Sequence, residues 1–155
     1  MLDGVNCVVF DFDDTLGIHK THHLMVDSDE LADHIYDCMH YDSDFINECV
    51  INEHLKLFLQ ECVDRDITLG LCSGVISCVA AEAKIKWIYD NYGFMLYNYC
   101  VSSQDAKLYM YSALLKEYGS VLIVEDNPDV VNKAWDLGYN IVTPMQVVNY
   151  IENNK

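Results

Sequence analysis

From residue 67 to residue 153, strand-length apolar runs alternate with helix-length amphipathic stretches, and this alternation restricts the fold more than any other feature of the sequence. Residues 67–72 (ITLGLC), 95–101, 120–124 (SVLIV) and 140–143 are too short for helices and read as buried strands. Residues 5–10 (VNCVVF) form another such run, which stops abruptly in aspartates. Near-continuous apolarity implies that both faces of each strand are covered, as in a parallel sheet. The stretches between them supply the crossover helices. Residues 75–91 place Val79, Ala83, Lys86, Trp87 and Asp90 at helical spacing ahead of Gly93, and residues 106–118 end at Gly119. Residues 128–137 begin with Asn127 as N-cap and Pro128 at the first helical position, and stop at Gly138. Residues 144–153 form the last helix. The expected architecture is α/β: one Rossmann-like domain over residues 1–155, a three-layer sandwich around a parallel sheet of about five strands.

Residues 17–66 break the alternation. Residues 18–26 have no clear period and suggest a small hairpin, while residues 28–41 set Leu31, Ile35, Cys38 and Met39 on one helical face. Residues 44–65 read as a helix or a broken pair. Negative charge concentrates here, for residues 1–66 hold 16 acids against 3 bases in a chain of net charge −16. Such a surface repels phosphate backbones, so nucleic acid is not an expected partner. The 52% hydrophobic content excludes a disordered chain. No run reaches the ~18 apolar residues of a membrane span, and Met1-Leu2-Asp3-Gly4 lacks the basic and apolar regions of a leader. A cytoplasmic protein with no membrane partner is expected. Seven cysteines without a CxxC pair fit free, mostly buried thiols better than a disulfide framework or a zinc site.

In an open parallel sheet, ligands bind beyond the carboxyl ends of the strands. Asp11, Asp13 and Asp14 follow the first strand, with Thr15 behind them. Crowded carboxylates raise one another's proton affinity unless a cation neutralises them, and hard oxygen donors suit Mg²⁺. Alone, the stretch fits an Asp-rich turn equally well. The second strand ends in Cys72-Ser73-Gly74, where a hydroxyl and a flexible backbone can donate to an anion; alone, Ser73 reads as an ordinary N-cap and Cys72 as packing. The fourth strand runs into Glu125-Asp126-Asn127-Pro128-Asp129, a second acidic cluster. Lys107 stands at the start of a helix, where the dipole favours an acid. It reads either as a solvated surface lysine or as a partner for an anion. His19, Lys20, His22 and His23 read first as a solvated loop, with a substrate or metal role for the histidines and a substrate anion for Lys20 as the second alternative.

Taken together and in order, these residues resemble the four motifs of the haloacid dehalogenase-like (HAD) superfamily of phosphatases and phosphotransferases. Asp11-Phe12-Asp13-Asp14-Thr15 looks like its DxDx[T/V] motif, Leu69 to Gly74 its strand ending in Ser/Thr-Gly, Lys107 its lysine, and Glu125-Asp126-Asn127-Pro128 its acidic motif. The resemblance implies a sheet order of 5-4-1-2-3 and a Mg²⁺-dependent phosphomonoester hydrolase. Asp11 would be the nucleophile and Asp13 the general acid–base. Ser73, Gly74 and Lys107 would hold the phosphate. Asp11, Asp13 (through its backbone carbonyl) and Asp126 would bind the metal, supported by Thr15, Glu125 and Asp129. An Asp at position 13 favours phosphoester chemistry over dehalogenation. Two positions depart from the pattern. Val130 stands where a carboxylate or Asn is common, which puts the role of Asp129 in doubt, and Leu108 stands where proline is common. Residues 17–66 leave room for a minimal cap at most. The expected partner is a phosphorylated small molecule or a phosphoprotein, and an open site suits a macromolecular substrate, or one enclosed by a second subunit of a homo-oligomer. A catalytically silent binding or regulatory module, or a phosphatase for a macromolecular substrate, would share the same fold.

Overall fold

Strand β1 (Cys7–Phe10) is buried along its whole length, because it lies at the centre of a five-stranded sheet with helices on both faces. The structure, a computed structural model, describes residues 1–19, 43–75, 77–93, 97–101 and 103–154. β1 is followed by β2 (Gly17–Ile18), α1 (Ser43–Asn47), β3 (Val50–Ile51) and α2 (Glu53–Asp64). Next come β4 (Thr68–Leu71), α3 (Cys78–Tyr92), β5 (Tyr97–Asn98) and α4 (Gln104–Tyr118). The chain continues through β6 (Val121–Val124), α5 (Pro128–Asp136), β7 (Asn140–Val142) and α6 (Pro144–Asn153). The sheet order is β5-β4-β1-β6-β7, all parallel, which is the 5-4-1-2-3 order expected by resemblance.

The period-2 alternation of side chains sorts the core into two layers. Val8 and Phe10 join Leu69, Leu71, Leu122 and Val124 under α2, α3 and α6, while Cys7, Val9, Val121 and Ile123 pack under α4 and α5. The first strand and, from residue 67 onward, the expected strands and helices lie within a few residues of their expected limits, except that the run expected as a buried strand over residues 95–101 contributes, among the described residues, only the exposed pair Tyr97–Asn98. Local chemistry sets several ends. Asn127 accepts from the backbone N–H groups of Asp129 and Val130, and Gly93 closes α3 with φ of 75°, a conformation that favours glycine.

Segment 17–66 is described over residues 17–19 and 43–66. Residues 44–65 are a broken pair, α1 and α2, separated by β3. β2 pairs antiparallel with β3, with Gly17 opposite Ile51 and Ile18 opposite Val50, and the hairpin expected over residues 18–26 falls largely outside the described residues. The helix read over residues 28–41 lies outside the described residues. The buried face of α3 differs from its sequence reading: Ala80, Lys84, Trp87, Ile88 and Tyr92 face inward, whereas Val79, Lys86 and Asp90 are exposed.

Candidate active site

Parallel register brings the strand ends level. Phe10 lies beside Leu71 on one side and Val124 on the other, so Asp11, Cys72 and Glu125 leave the sheet together. Backbone hydrogen bonds continue one step further, with the Asp11 N–H donating to Val124 O at 2.9 Å and the Cys72 N–H to Phe10 O at 2.8 Å. Cys72 itself is buried and its thiol is pushed up to about 12 by that burial, which leaves it a packing residue.

Asp11 is buried, and Lys107 in the first turn of α4 brings its ammonium to 2.9 Å from Asp11 Oδ1 and 2.9 Å from Glu125 Oε2. Lys107 is therefore the buried partner of acids, not a solvated lysine. Burial opposes its charge, but the carboxylates of Asp11 and Glu125 outweigh burial and hold it firmly protonated. Both oxygens of Glu125 are engaged: Oε2 also accepts from the Tyr111 hydroxyl at 3.0 Å, and Oε1 from the Asn127 N–H at 3.1 Å. Its role is to hold Lys107 and the start of the following loop. Asp126 is half-buried, and the buried Thr15 hydroxyl faces its Oδ1 at 3.4 Å, joining the first and fourth strand ends.

One carboxylate oxygen each from Asp11, Glu125 and Asp126 can be chosen so that all lie within 4.8 Å of one another. Burial and the Asp11 charge push Asp126 up to about 7 and Glu125 up to about 8, with Lys107 opposing in both cases. An all-oxygen set with frustrated charge fits a hard divalent cation. Asp129 is exposed in the first turn of α5 and lies outside this set.

Asp13 is held from two sides. Its Oδ2 accepts from Lys84 Nζ at 2.6 Å, and its Oδ1 lies 3.0 Å from His19 Nε2. Burial would raise its carboxyl, but the Lys84 charge and the hydrogen bonds from His19 and Lys84 outweigh burial and lower it to about 2. His19 is buried, stacked on Phe45 with ring centroids 4.8 Å apart, and its Nδ1 lies 3.2 Å from Cys49 Sγ. The solvated-loop reading therefore fails for His19; Lys20, His22 and His23 lie outside the described residues. Asp14 adopts φ of 50° and its Oδ1 accepts from the His19 N–H at 3.4 Å, so it caps the turn after the strand.

Ser73 is buried and its Oγ accepts from Lys84 Nζ at 3.0 Å; the N-cap of α3 is Ser77, which accepts from the Ala80 N–H. Gly74 follows, its carbonyl 3.1 Å from the same ammonium. Sequence reasoning missed Lys84. The available signal was its place at the centre of the i, i+4 series Ala80, Lys84, Ile88 on an otherwise apolar face. Beside Gly74 and Lys107 opens a cleft of about 470 Å³ lined by Val75, Ser77, Cys78, Cys100, Val101 and Ala106. Among the described residues, its lining carries no charged side chain.

The sequence matches no protein-family model and no curated protein. Solved structures do match in three dimensions. The cobalt-bound deoxy-D-mannose-octulosonate 8-phosphate phosphatase of Haemophilus influenzae superposes with a TM-score of 0.55 and 17% identity, over 92% of this chain and 70% of that one. A haloacid dehalogenase-like family hydrolase of Xanthomonas campestris gives 0.52 and 12%, over 79% and 75%. This chain has the haloacid dehalogenase-like fold. A chain of the Pnkp1/Rnl/Hen1 complex gives 0.59 and 14%, over 90% of this chain but 46% of that one, so the HAD-like unit here spans less than half of that protein. Within the HAD-like fold, the residues expected from the sequence stand together at the carboxyl edge of the sheet, with Asp129 set apart.

Proposed function

We propose that the protein is a phosphomonoester hydrolase that acts through an aspartyl-phosphate on Asp11. The observation that carries this reading is the Asp11 carboxylate itself. It sits at the end of the central strand, 2.9 Å from a buried lysine and within 4.8 Å of two further carboxylates. A buried nucleophilic carboxylate beside a fixed cation is the arrangement that phosphoryl transfer needs, because most of the catalysis is positioning and charge.

In the first step an Asp11 oxygen bonds to phosphorus while the bond to the leaving oxygen breaks. Lys107, the Ser73 hydroxyl and the Gly74 backbone hold the phosphoryl oxygens and offset the developing charge. Asp13 hands a proton to the leaving oxygen, then takes one from the water that cleaves the acyl phosphate. Asp13 rests as a carboxylate, so the base half of this cycle is prepared and the acid half needs a proton that arrives with substrate. A divalent cation, of which Mg²⁺ best suits one or two carboxylates plus phosphate, supplies charge neutralisation when bound. Asp11 and Asp126 would hold it together with the Asp13 carbonyl, with Glu125 and Thr15 in support. The cleft beside Gly74 would take the leaving group of a phosphorylated small molecule or a phosphorylated protein side chain.

Steady-state hydrolysis of an aryl and an alkyl phosphate tests the assignment. Asp11→Asn should abolish turnover and phosphoenzyme on both. Asp13→Asn should lose about 10²–10⁴ in rate on the alkyl ester, the usual cost of a lost acid–base group, and distinctly less on the aryl ester, whose leaving group needs no proton. An active Asp11→Asn enzyme would overturn the reading, as would a wild type inert to both esters with Mg²⁺ present.

A further inference from the structure

The mechanism leaves one buried charge unused. Lys84 is fully buried in the middle of α3, over the Phe12 ring at 5.1 Å. A buried ammonium is costly unless its charge and its donors are all matched. An apolar side chain beside Ala80, Trp87 and Ile88 would pack α3 onto the sheet without that cost. Lys84 has three protons and meets three acceptors: Asp13 Oδ2 at 2.6 Å, Ser73 Oγ at 3.0 Å and the Gly74 carbonyl at 3.1 Å. These belong to two strand ends, that of β1 and that of β4, and each is adjacent to the proposed phosphoryl position.

The direction of these bonds matters. Ser73 Oγ accepts from Lys84, so the hydroxyl's own proton must point elsewhere. Asp13 is fixed by one oxygen while His19 holds the other. The site also gathers four carboxylates, on Asp11, Asp13, Glu125 and Asp126, against the ammonium groups of Lys84 and Lys107. Removing one ammonium from so acidic a site would strongly oppose the arrival of a phosphate dianion.

We propose that Lys84 is a positioning residue of the phosphoryl site, turning the Ser73 hydroxyl proton toward the phosphoryl oxygen, holding Asp13 beside the leaving group and adding a second positive charge to that of Lys107. The inference rests on the phosphatase reading for its chemistry, but its test does not need turnover. Equilibrium binding of inorganic phosphate to the full chain, with Mg²⁺ present, is measured for wild type, Lys84→Gln, Ser73→Ala and the double variant.

Lys84→Gln should weaken phosphate about tenfold or more, the usual scale for a hydrogen bond to a charged group. The double variant should lose clearly less than the product of the two single losses, because the Ser73 contribution depends on Lys84. A purely structural lysine would leave phosphate affinity unchanged or give losses that multiply, and either result overturns the inference. If Lys84→Gln shows no cooperative melt, Lys84→Met keeps the packing and carries the same expectations. Phosphate added to wild type should also move the ¹⁵N resonance of the Lys84 ammonium, and an unmoved resonance overturns the proposal without any variant. Aryl phosphate hydrolysis reads the enzyme assignment separately. An inactive wild type that binds phosphate through Lys84 would overturn that assignment and support this one.

Discussion

At the scale of single residues, the site is defined by which carboxylates can keep their charge. Asp13 keeps it easily, because Lys84 and His19 face its two oxygens. Asp126 and Glu125 do not: burial and the neighbouring Asp11 push them up to about 7 and about 8. The signs of the linked stabilities are opposite. An acid whose folded value is raised contributes stability at low pH and loses it as pH climbs through that value. An acid whose value is lowered contributes above its ordinary range and loses it only toward about pH 2. Without divalent cation, the melting temperature should therefore fall as pH rises from about 5 to about 8. Mg²⁺ should raise it more at the upper end of that range, where the carboxylates are free of protons. Thermal melts in EDTA and in millimolar Mg²⁺ across this range check both statements. A flat EDTA profile with no Mg²⁺ response in wild type would remove Asp126 and Glu125 from any metal site.

At the scale of elements, the turn from β1 into β2 carries the chemistry and has little slack. The Gly17 N–H donates to Phe12 O at 2.9 Å, and its own carbonyl accepts from the Asp14 N–H at 2.9 Å. A Cβ placed on Gly17 would lie 2.7 Å from the Phe12 ring, which is buried under Trp87 at 5.4 Å between ring centroids. Neither ring can move without disturbing α3 and, through it, Lys84. Gly17→Ala should cost about 1–3 kcal/mol, the usual range for an overpacked core. Denaturant melts measure that cost, and a variant as stable as wild type would show that the turn can relax. The same substitution should lower activity more than its stability loss predicts, because Asp13 and Asp14 sit on the turn it distorts.

At the scale of the whole molecule, net charge decides which partners can approach. The formal charge is −16, and the sheet's carboxyl edge gathers four acids against two lysines. The long-range field should therefore repel an unmodified oligonucleotide, and binding should be weak at physiological salt. Fluorescence anisotropy with labelled single-stranded and duplex DNA tests this, and tight binding to either would require a basic surface that the charge balance does not suggest. No helix among the described residues is long and apolar enough to cross a membrane.

The sequence alone determined the layers, the strand–helix order from residue 67 onward and which side chains follow each strand end. Each of these depends on near neighbours: the valine-rich run of β1, the Asn127-Pro128 helix start, the glycine after α3, and the aspartates placed directly where a strand ends. Strand register then brought Asp11 and Glu125 level with Cys72, one residue before Ser73. Tertiary structure alone decided how the charges pair. Lys84 lies 71 residues from Asp13, and His19 meets Asp13, Phe45 and Cys49 only once the insertion has folded back. In the sequence, a lysine on a helix and a histidine in a loop both read as solvated, because exposure is their cheapest state. Burial reverses that reading only where an opposite charge waits at hydrogen-bond distance, and local periodicity carries no record of such a partner. Ser73 shows the same division: its place at a strand end was legible, but its release from capping α3 followed from Ser77 taking that role.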